Sequence, residues 1–273
     1  IPITEVTIGD YEPVYNRVWY KIADVGYAHS GGIQPVKTNP QDPISDIPES
    51  GQLAEVSVPF TDARWEPDLD RAGIYRFYFE TTHWVTGLIY DNNNKPWYRI
   101  LDDKWDLVFY TQAEHLRLIP NSELQTISPD VPPQAKRIEV RTSDQIVVAY
   151  EWDRPVFMAR TATGAEFSNG RFFTPSGTHY TFHKRPSRHM AAGNLAHNGY
   201  DLPGVPWICY ITEKGVAFHG TYWHNDYGRA RSHGCINLTP QAAKWIYRWT
   251  MPVVPAHEQR IYNIAGGTRV DVF

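Results

Sequence analysis

At 273 residues the chain has room for two domains, or three if some are small. Hydrophobic residues make up 42% of it, no run approaches the roughly 18–20 apolar residues of a membrane-spanning helix, and a net charge of −4 argues against a nucleic-acid partner. Ten Trp and seventeen Tyr favour strand-rich units and surfaces for sugars or peptides, because flat rings pack on pleated sheets and stack on ligand faces. Two cysteines, Cys209 and Cys235, are too few for a disulfide-stapled scaffold, so the core must hold by packing. The chain opens at Ile1 instead of Met, which suggests either a trimmed chain or a processed, exported protein, and any signal peptide or lipid anchor would lie outside these residues.

Two proline- and acid-rich stretches, 39-NPQDPISDIPESG-51 and 120-PNSELQTISPDVPPQ-134, lack apolar periodicity and read as connections. They divide the chain into about 1–38, 52–120 and 135–273. The first two pieces share a weak repeat: 18-VWYKIAD-24 matches 96-PWYRILD-102, and Tyr27, Ile33 and Val36 recur as Tyr110, Leu116 and Ile119. Strands are predicted at 83-HWVTGLIY-90 and 97-WYRIL-101, with 91-DNNNKP-96 between them as a hairpin turn. Short aromatic strands, tight polar turns and a closing aliphatic pair resemble bacterial SH3-like barrels, small modules found on cell-wall enzymes. On that resemblance 52–120 is a complete module and 1–38 a partial or fused one. The alternative is two generic β-rich units whose aromatics fill their cores.

The third piece is also strand-rich, with runs at 137-RIEVRT-142, 145-QIVVAY-150 and 155-PVFMA-159, then 205-VPWICYI-211, 214-KGVAFH-219 and 268-TRVDVF-273. One helix is predicted, with Thr239 as N-cap, Pro240 at its first position, and Ala242, Trp245, Ile246 and Trp249 at helical spacing.

Just before that helix, 219-HGTYWHNDYGRARSHGCINL-238 gathers three histidines, two arginines and Cys235. Gly234 lets backbone approach a ligand beside the thiol. Arg229, Arg231, His219 and His233 are expected near Cys235, where positive charge would favour the thiolate. A histidine would deprotonate it, and His219 stands at a strand end sixteen residues upstream. Other readings compete. A buried cysteine is usually a small hydrophobe, which suits Cys209 between Ile208 and Tyr210 but not Cys235 among polar neighbours. A Cys209–Cys235 disulfide stays open. A zinc site from His219, His224, His233 and Cys235 has the right ligand types, but the spacing H-x4-H-x8-H-x-C fits no common zinc motif. No metal or other cofactor is therefore expected, and His224 receives no role.

The ordered string His219-Gly220-Thr221 followed by Ser232-His233-Gly234-Cys235-Ile236-Asn237 resembles the signature of the L,D-transpeptidase (YkuD-type) catalytic domain. Thr163-Gly164, 174-TPSG-177 and the closing 269-RVDVF-273 are similar to further elements of that family, so the resemblance covers about 135–273. It implies a mainly β architecture: a β-sandwich catalytic domain with a short helix, preceded by SH3-like β-barrel modules. It implies that Cys235 forms a thioester with a peptidoglycan tetrapeptide stem, releasing terminal D-Ala, and hands the acyl group to an amine of a neighbouring stem. His219 would be general base and acid, the Gly220 carbonyl its orienting partner, and His233 a support for the loop. Backbone N–H groups at Gly234 and Cys235, near the helix start, would form the oxyanion hole.

Arg229, Arg231 and the basic stretch 183-HKRPSRH-189, read otherwise as a solvated loop, are candidates for the substrate carboxylates. Tyr222, Trp223 and Tyr227 are candidate cleft walls. Some family members carry Arg where this chain has Asn237, so a carboxylate contact made there would be replaced or absent. Expected partners are peptidoglycan stem peptides and, as inhibitors, carbapenems, with an extracytoplasmic location at the wall or in the periplasm. An L,D-carboxypeptidase that uses water as acceptor and a non-catalytic wall-binding protein are the competing functions.

Overall fold

The computed structural model describes residues 1–10, 13–168, 170–196 and 199–273. Strands β1 (Ile3–Ile8), β2 (Val18–Ile22) and β3 (Gly26–His29) make an antiparallel sheet in that order. Then come β4 (Gln52–Val56), β5 (Phe60–Ala63), β6 (Tyr75–Tyr78), β7 (Thr82–Tyr90), β8 (Pro96–Asp102), β9 (Leu107–Gln112) and β10 (Leu116–Leu118). Five of them form a sheet ordered β10-β4-β7-β8-β9, β5 and β6 pair as a hairpin, and a 3-10 turn at Ala113–His115 precedes β10. Val56, Phe77, Val85, Ile100, Phe109 and Leu116 are buried together at its centre. The turn at 91–95 follows from one side chain. Asp91 Oδ1 accepts from the N–H groups of Asn93 and Lys95, at 2.8 and 2.9 Å, while Asn94 takes a left-handed φ of 59°. The sequence repeat has a local counterpart: β2 and β3 lead into a 3-10 turn at Ser30–Gly32, as β8 and β9 lead into Ala113–His115.

The third piece carries β11 (Lys136–Arg141), β12 (Ile146–Glu151), β13 (Arg154–Arg160), β14 (Glu166–Phe167), β15 (Gly170–Arg171), β16 (Gly177–Tyr180), β17 (His183–Ala192), β18 (Tyr200–Tyr210), β19 (Ala217–Gly220), β20 (Ile236–Leu238), helix α1 (Pro240–Trp249), β21 (Ile261–Tyr262) and β22 (Arg269–Val272). Two five-stranded sheets result, β13-β12-β11-β22-β16 and β20-β19-β18-β17-β21. Alternation along β11 buries Ile138 and Val140 on one face and leaves Arg137 and Glu139 on the other. Those residues, with Val147 and Val270, share one core with Phe218 and Ile236 of the second sheet and with Ala243, Ile246 and Trp249 of α1. The architecture is a mainly β sandwich with one short helix packed into it. Cys209 lies fully buried in that core, and both it and Cys235 are free thiols, so no disulfide joins them.

Thr239 caps α1, its Oγ1 accepting from Ala242 N–H at 3.2 Å. The other end shows why β17 is not a solvated loop. Lys184 Nζ, buried, donates to the carbonyls of Tyr247 and Thr250 at 2.6 Å each, and Lys136 Nζ donates to that of Trp249 at 3.2 Å. Two ammonium groups thus satisfy last-turn carbonyls that would otherwise be orphaned in the core, at the negative end of the helix dipole. Burial draws the Lys184 pKa down to about 8. The rest of 183-HKRPSRH-189 faces the preceding module: Arg185 and Arg188 contact the Asp103 carboxylate at 3.0 and 2.7 Å, and His189 reaches Asp102 and Asp201. Both sequence-based readings of that stretch, loop and substrate site, are thereby corrected: its cations are consumed by helix capping and by contacts between modules.

That contact is extensive. Leu53, Trp84 and Ile119 extend from the β4–β10 unit into the sandwich core, and Thr82 Oγ1 donates to the Pro186 carbonyl at 2.8 Å. At its centre the His189 imidazole, 1% exposed, lies between the Asp102 carboxylate (2.5 Å from Nδ1) and that of Asp201. Burial works against the imidazolium, but the two carboxylates outweigh it and raise the His189 pKa. Burial likewise opposes the Asp102 anion, yet hydrogen bonds from His189 and from the N–H groups of Trp105 and Lys104 hold its pKa below the usual carboxylate value.

The histidine contribution is complete below the free-imidazole range and is lost as pH rises through its raised pKa. The aspartate contribution is present above the free-carboxylate range and is lost as pH falls. His189→Gln should therefore lower stability most between about pH 4 and pH 6.5, by about 1–3 kcal/mol, since it removes the cation that faces the buried Asp102 carboxylate and the partly exposed Asp201 carboxylate. Melting temperatures of both proteins across pH 3–9 (roughly the span of both titrations) would reveal a constant gap if the clamp contributes nothing electrostatic.

Candidate active site

Strands β19 and β20 run parallel, with Phe218 opposite Ile236, His219 opposite Asn237 and Gly220 opposite Leu238. Phe218 and Ile236 point into the core, so His219 and Asn237 occupy the other face. Extending the register one step places Cys235 opposite Ala217, on the same face as His219 and two residues away on the neighbouring strand. Strand spacing puts such diagonal positions about 8 Å apart at Cα, within reach of a thiol and an imidazole. The strand pair thus brings together the two reactive groups that sixteen residues separate in sequence.

The imidazole of His219 is 3% exposed, and its Nδ1 donates to the Gly220 carbonyl at 3.0 Å. That bond fixes the tautomer, leaving Nε2 as the basic nitrogen. Burial pulls the His219 pKa down to about 4, partly opposed by the Gly220 carbonyl, so the ring is neutral near pH 7. Cys235 is half-buried and its Sγ donates to the Gly215 carbonyl at 3.6 Å. Burial lifts its pKa to about 11, against a weaker pull from the backbone of Ala217. The resting pair is a neutral thiol and a neutral imidazole.

The turn that presents Cys235 is held from two sides. Ser232 Oγ donates to the Cys235 carbonyl at 2.5 Å and accepts from Gly234 N–H at 3.2 Å, closing the turn on itself. Gly234 sits at φ +108°, a conformation that other residues rarely adopt. From outside, Thr174 Oγ1 donates to the Gly234 carbonyl at 2.8 Å and accepts from Gly164 N–H at 3.0 Å. Gly164 is pressed so closely against the chain that a Cβ would lie 2.0 Å from the Phe172 carbonyl oxygen. The N–H groups of Arg231 and Ser232 both donate to the Thr163 carbonyl at 2.9 Å, and Gln145 holds Thr163 in turn. The two sequence elements 163–164 and 174–177 therefore grip the Ser232-His233-Gly234-Cys235 turn directly.

The remaining sequence-predicted residues divide sharply. His233 is exposed, and its ring stacks on Phe167 at 4.7 Å and leans on Phe172. Trp223 stays open to solvent with its ring 5.7 Å from that of His219. Tyr222 and Tyr227 are buried, their hydroxyls donating to the carbonyls of Pro203 (3.3 Å) and Leu238 (3.0 Å), so they present no open face. Arg229 and Arg231 do not supply positive charge to the thiol: both guanidiniums bind the buried Asp226 carboxylate, at 2.7 and 2.9 Å, and Arg229 also lies over Tyr15. Helix α1 starts beyond β20, with Pro240 against Gly220, so its N-terminus does not lie at the thiol, and the Gly234 N–H is already engaged by Ser232.

Residues to which the sequence assigned no role complete the surroundings. His224 Nε2 meets the Asn237 amide at 3.1 Å while Nδ1 accepts from Asp226 N–H at 3.1 Å, so Asn237 is held from beside the strand. Tyr200 and Tyr210 of β18 have phenols raised chiefly by burial, and Tyr210 stands opposite Ala217, on the sheet face that carries His219 and Cys235. Asp226 had a legible signal, three and five residues from the two arginines. The tyrosines had none, being two of seventeen.

Fold and geometry together define a helix-braced β-sandwich with a thiol and an imidazole side by side on one strand pair. Residues 135–272, half of the chain, match the YkuD family, the L,D-transpeptidase catalytic domain, and the chain belongs to that family. Among solved structures, an Enterococcus faecium L,D-transpeptidase is similar at 23% identity over 51% of this chain and 50% of that one, with a TM-score of 0.39. The catalytic domain of E. faecium L,D-transpeptidase acylated by ertapenem is similar at 23% identity over 51% of this chain and 98% of that one, TM-score 0.38. An L,D-transpeptidase from Mycobacterium smegmatis aligns at 16% identity over 99% of this chain and 100% of its own, TM-score 0.41. The chain spans about half the length of the first of these. No curated protein sequence matches it.

Two outcomes follow from the geometry. With the thiol pKa near 11 and His219 already neutral, the alkylation rate of Cys235 by iodoacetamide should climb about tenfold per pH unit from pH 7 to about pH 10. A plateau below pH 8 would instead reveal a preformed thiolate–imidazolium pair. Gly164→Ala should lower the melting temperature, at a cost of about 1–3 kcal/mol or more, and slow alkylation of Cys235, because the added methyl displaces Phe172 and with it the Thr174 grip. Unchanged alkylation would dissociate that contact from the thiol.

Proposed function

We propose that this chain is a cysteine-dependent peptidoglycan L,D-transpeptidase. The observation that carries the reading is the same-face placement of Cys235 and His219 on the β19–β20 pair, within the residues that match the family. In the proposed reaction the Cys235 sulfur leaves the Gly215 carbonyl and attacks the stem carbonyl preceding terminal D-Ala, while its proton passes to His219 Nε2. Collapse of the tetrahedral adduct breaks the C–N bond, and the departing amine takes that proton, leaving a thioester. An amine of a second stem then attacks the thioester, gives a proton to Nε2, and the thiol recovers it as the cross-link forms. The Gly220 carbonyl keeps Nε2 free for both transfers. His233 and Gly234 shape the turn, Trp223 lies against His219, and Asn237 anchors the strand beside it.

The neutral resting pair fits a general-base mechanism, in which proton removal accompanies attack, better than a standing ion pair. For the N-terminal region, the strand order β10-β4-β7-β8-β9, the β5–β6 hairpin and the 3-10 turn before the last strand support an SH3-like module that holds the enzyme at the wall. An extracytoplasmic site of action follows from that substrate. Water as acceptor would give an L,D-carboxypeptidase with the same residues, and a vestigial site would give a wall-binding protein.

Incubation with a disaccharide-tetrapeptide or with ertapenem, followed by intact-mass spectrometry, tests the reading. Wild type should gain a covalent acyl adduct and Cys235→Ala none; an adduct on the variant would sink the assignment of the nucleophile. Release of tripeptide alone, with or without an acceptor stem, would make the enzyme a hydrolase, and wall binding without any adduct would make it a binding protein.

A further inference from the structure

Between the β4–β10 unit and the catalytic domain runs a groove of about 540 Å³, bounded by Tyr75, Arg76 and Tyr78 of β6 on one side and by Asp201, Leu202 and Trp223 on the other. That size falls within the roughly 300–1,000 Å³ of small-ligand clefts. We infer that it is a subsite for a pyranose ring of the glycan strand that bears the stem peptide, so that the N-terminal module contributes directly to substrate recognition. The inference rests on the peptidoglycan reading above.

Three features of the groove point to a sugar. First, it offers open aromatic faces in an otherwise closed interface: Tyr78 is 44% exposed and Trp223 39% exposed. Tyr78 stacks on the buried Tyr222 at 5.5 Å and 21°, Tyr222 meets Trp223 edge-on at 5.1 Å, and Trp223 lies 5.7 Å from His219. One aromatic path therefore runs from the module to the imidazole. The axial C–H face of a pyranose packs on such rings as other apolar surfaces do.

Second, the rim carries fixed hydrogen-bonding groups. Arg76 is pinned by Asp62 at 2.8 Å and lies over the Phe60 ring at 4.1 Å, with no hydrogen bond to its Nη1 among the described residues. The Asp201 carboxylate is held by His189 and by the Tyr75 hydroxyl. A guanidinium donor and a carboxylate acceptor facing one another across a cleft suit the hydroxyl and amide groups around a sugar ring.

Third, Arg76 is countered by Asp62, and Asp201 shares the one His189 imidazole with Asp102, so the groove offers no unpaired positive charge to an anionic peptide. A neutral, polyhydroxylated ring fits this balance better than a stem with free carboxylates. Covalent continuity then places the glycan in the groove and its stem at Cys235, with Trp223 between them.

Steady-state kinetics of the full chain with a disaccharide-tetrapeptide and with the free tetrapeptide test the inference. Wild type should show the lower KM for the disaccharide form. Tyr78→Ala should raise that KM by about three- to tenfold, the worth of one aromatic contact, with kcat and the free-peptide KM unchanged within about twofold. Tyr78→Phe, which keeps the ring, should behave as wild type. Equal KM values for the two substrates in wild type, or a Tyr78→Ala effect of the same size on both, would overturn the subsite. If neither substrate acylates the protein, the transpeptidase reading fails by itself. The groove is then judged by calorimetry with the peptide-free disaccharide, where absent binding, or binding indifferent to Tyr78→Ala, overturns it.

Discussion

A single hydroxyl fixes where the reactive sulfur stands. Thr174 Oγ1 donates to the Gly234 carbonyl and accepts from the Gly164 N–H, and so ties three distant segments into one turn. Each partner must be what it is. Gly164 has no space for a Cβ, Gly234 needs its positive φ, and Ser232 closes the turn through the Cys235 carbonyl. Buried backbone groups that lack such partners would cost about 1–3 kcal/mol each. The hydrogen bonds that position the turn thus also satisfy groups that the fold must bury in any case.

The electrostatics of the site are set by burial more than by nearby charge. Two arginines next to a cysteine suggest a stabilised thiolate, yet both bind Asp226, and desolvation dominates at the sulfur and at His219. A charge helps a thiolate only when it is unpaired and close, and Asp226 removes the first condition. What remains is a pair of neutral groups, the imidazole buried and the thiol half-buried, with the imidazole tautomer set by the Gly220 carbonyl.

The same economy of cations extends across the interface between modules. Lys184 and Lys136 close the end of α1, Arg185 and Arg188 hold Asp103, and His189 bridges Asp102 and Asp201. Because Trp84 and Leu53 also enter the sandwich core, the module and the domain share packing as well as charge. A shared core keeps the β5–β6 hairpin in a constant relation to Trp223, which a flexible linker could not do.

Local signals carried much of this into the sequence. The helix from Pro240 was legible because capping, proline at the first position and 3.6-residue spacing are properties of adjacent residues. The same holds for β11 with its strict alternation, for β12 with its continuous apolar run, for the Asp91 turn, and for the buried Cys209. The ordered residues from His219 to Asn237 were enough to name a family, since their order is itself sequence. Strand β17 was not legible, because Lys184, Arg185, Arg188 and His189 within seven residues look solvated until their partners, Asp102, Asp103 and the carbonyls of α1, arrive from 63 to 87 positions away, distances that no local pattern spans. For the same reason only the tertiary structure decided that Arg229 and Arg231 serve Asp226, and that Tyr210 shares a sheet face with Cys235. It also decided that a module hairpin faces Trp223. The sequence by itself determined which chemical groups the site contains and which elements carry them; the pairing of strands and the sharing of a core decided which of those groups meet, because contact energies act through space and not along the chain.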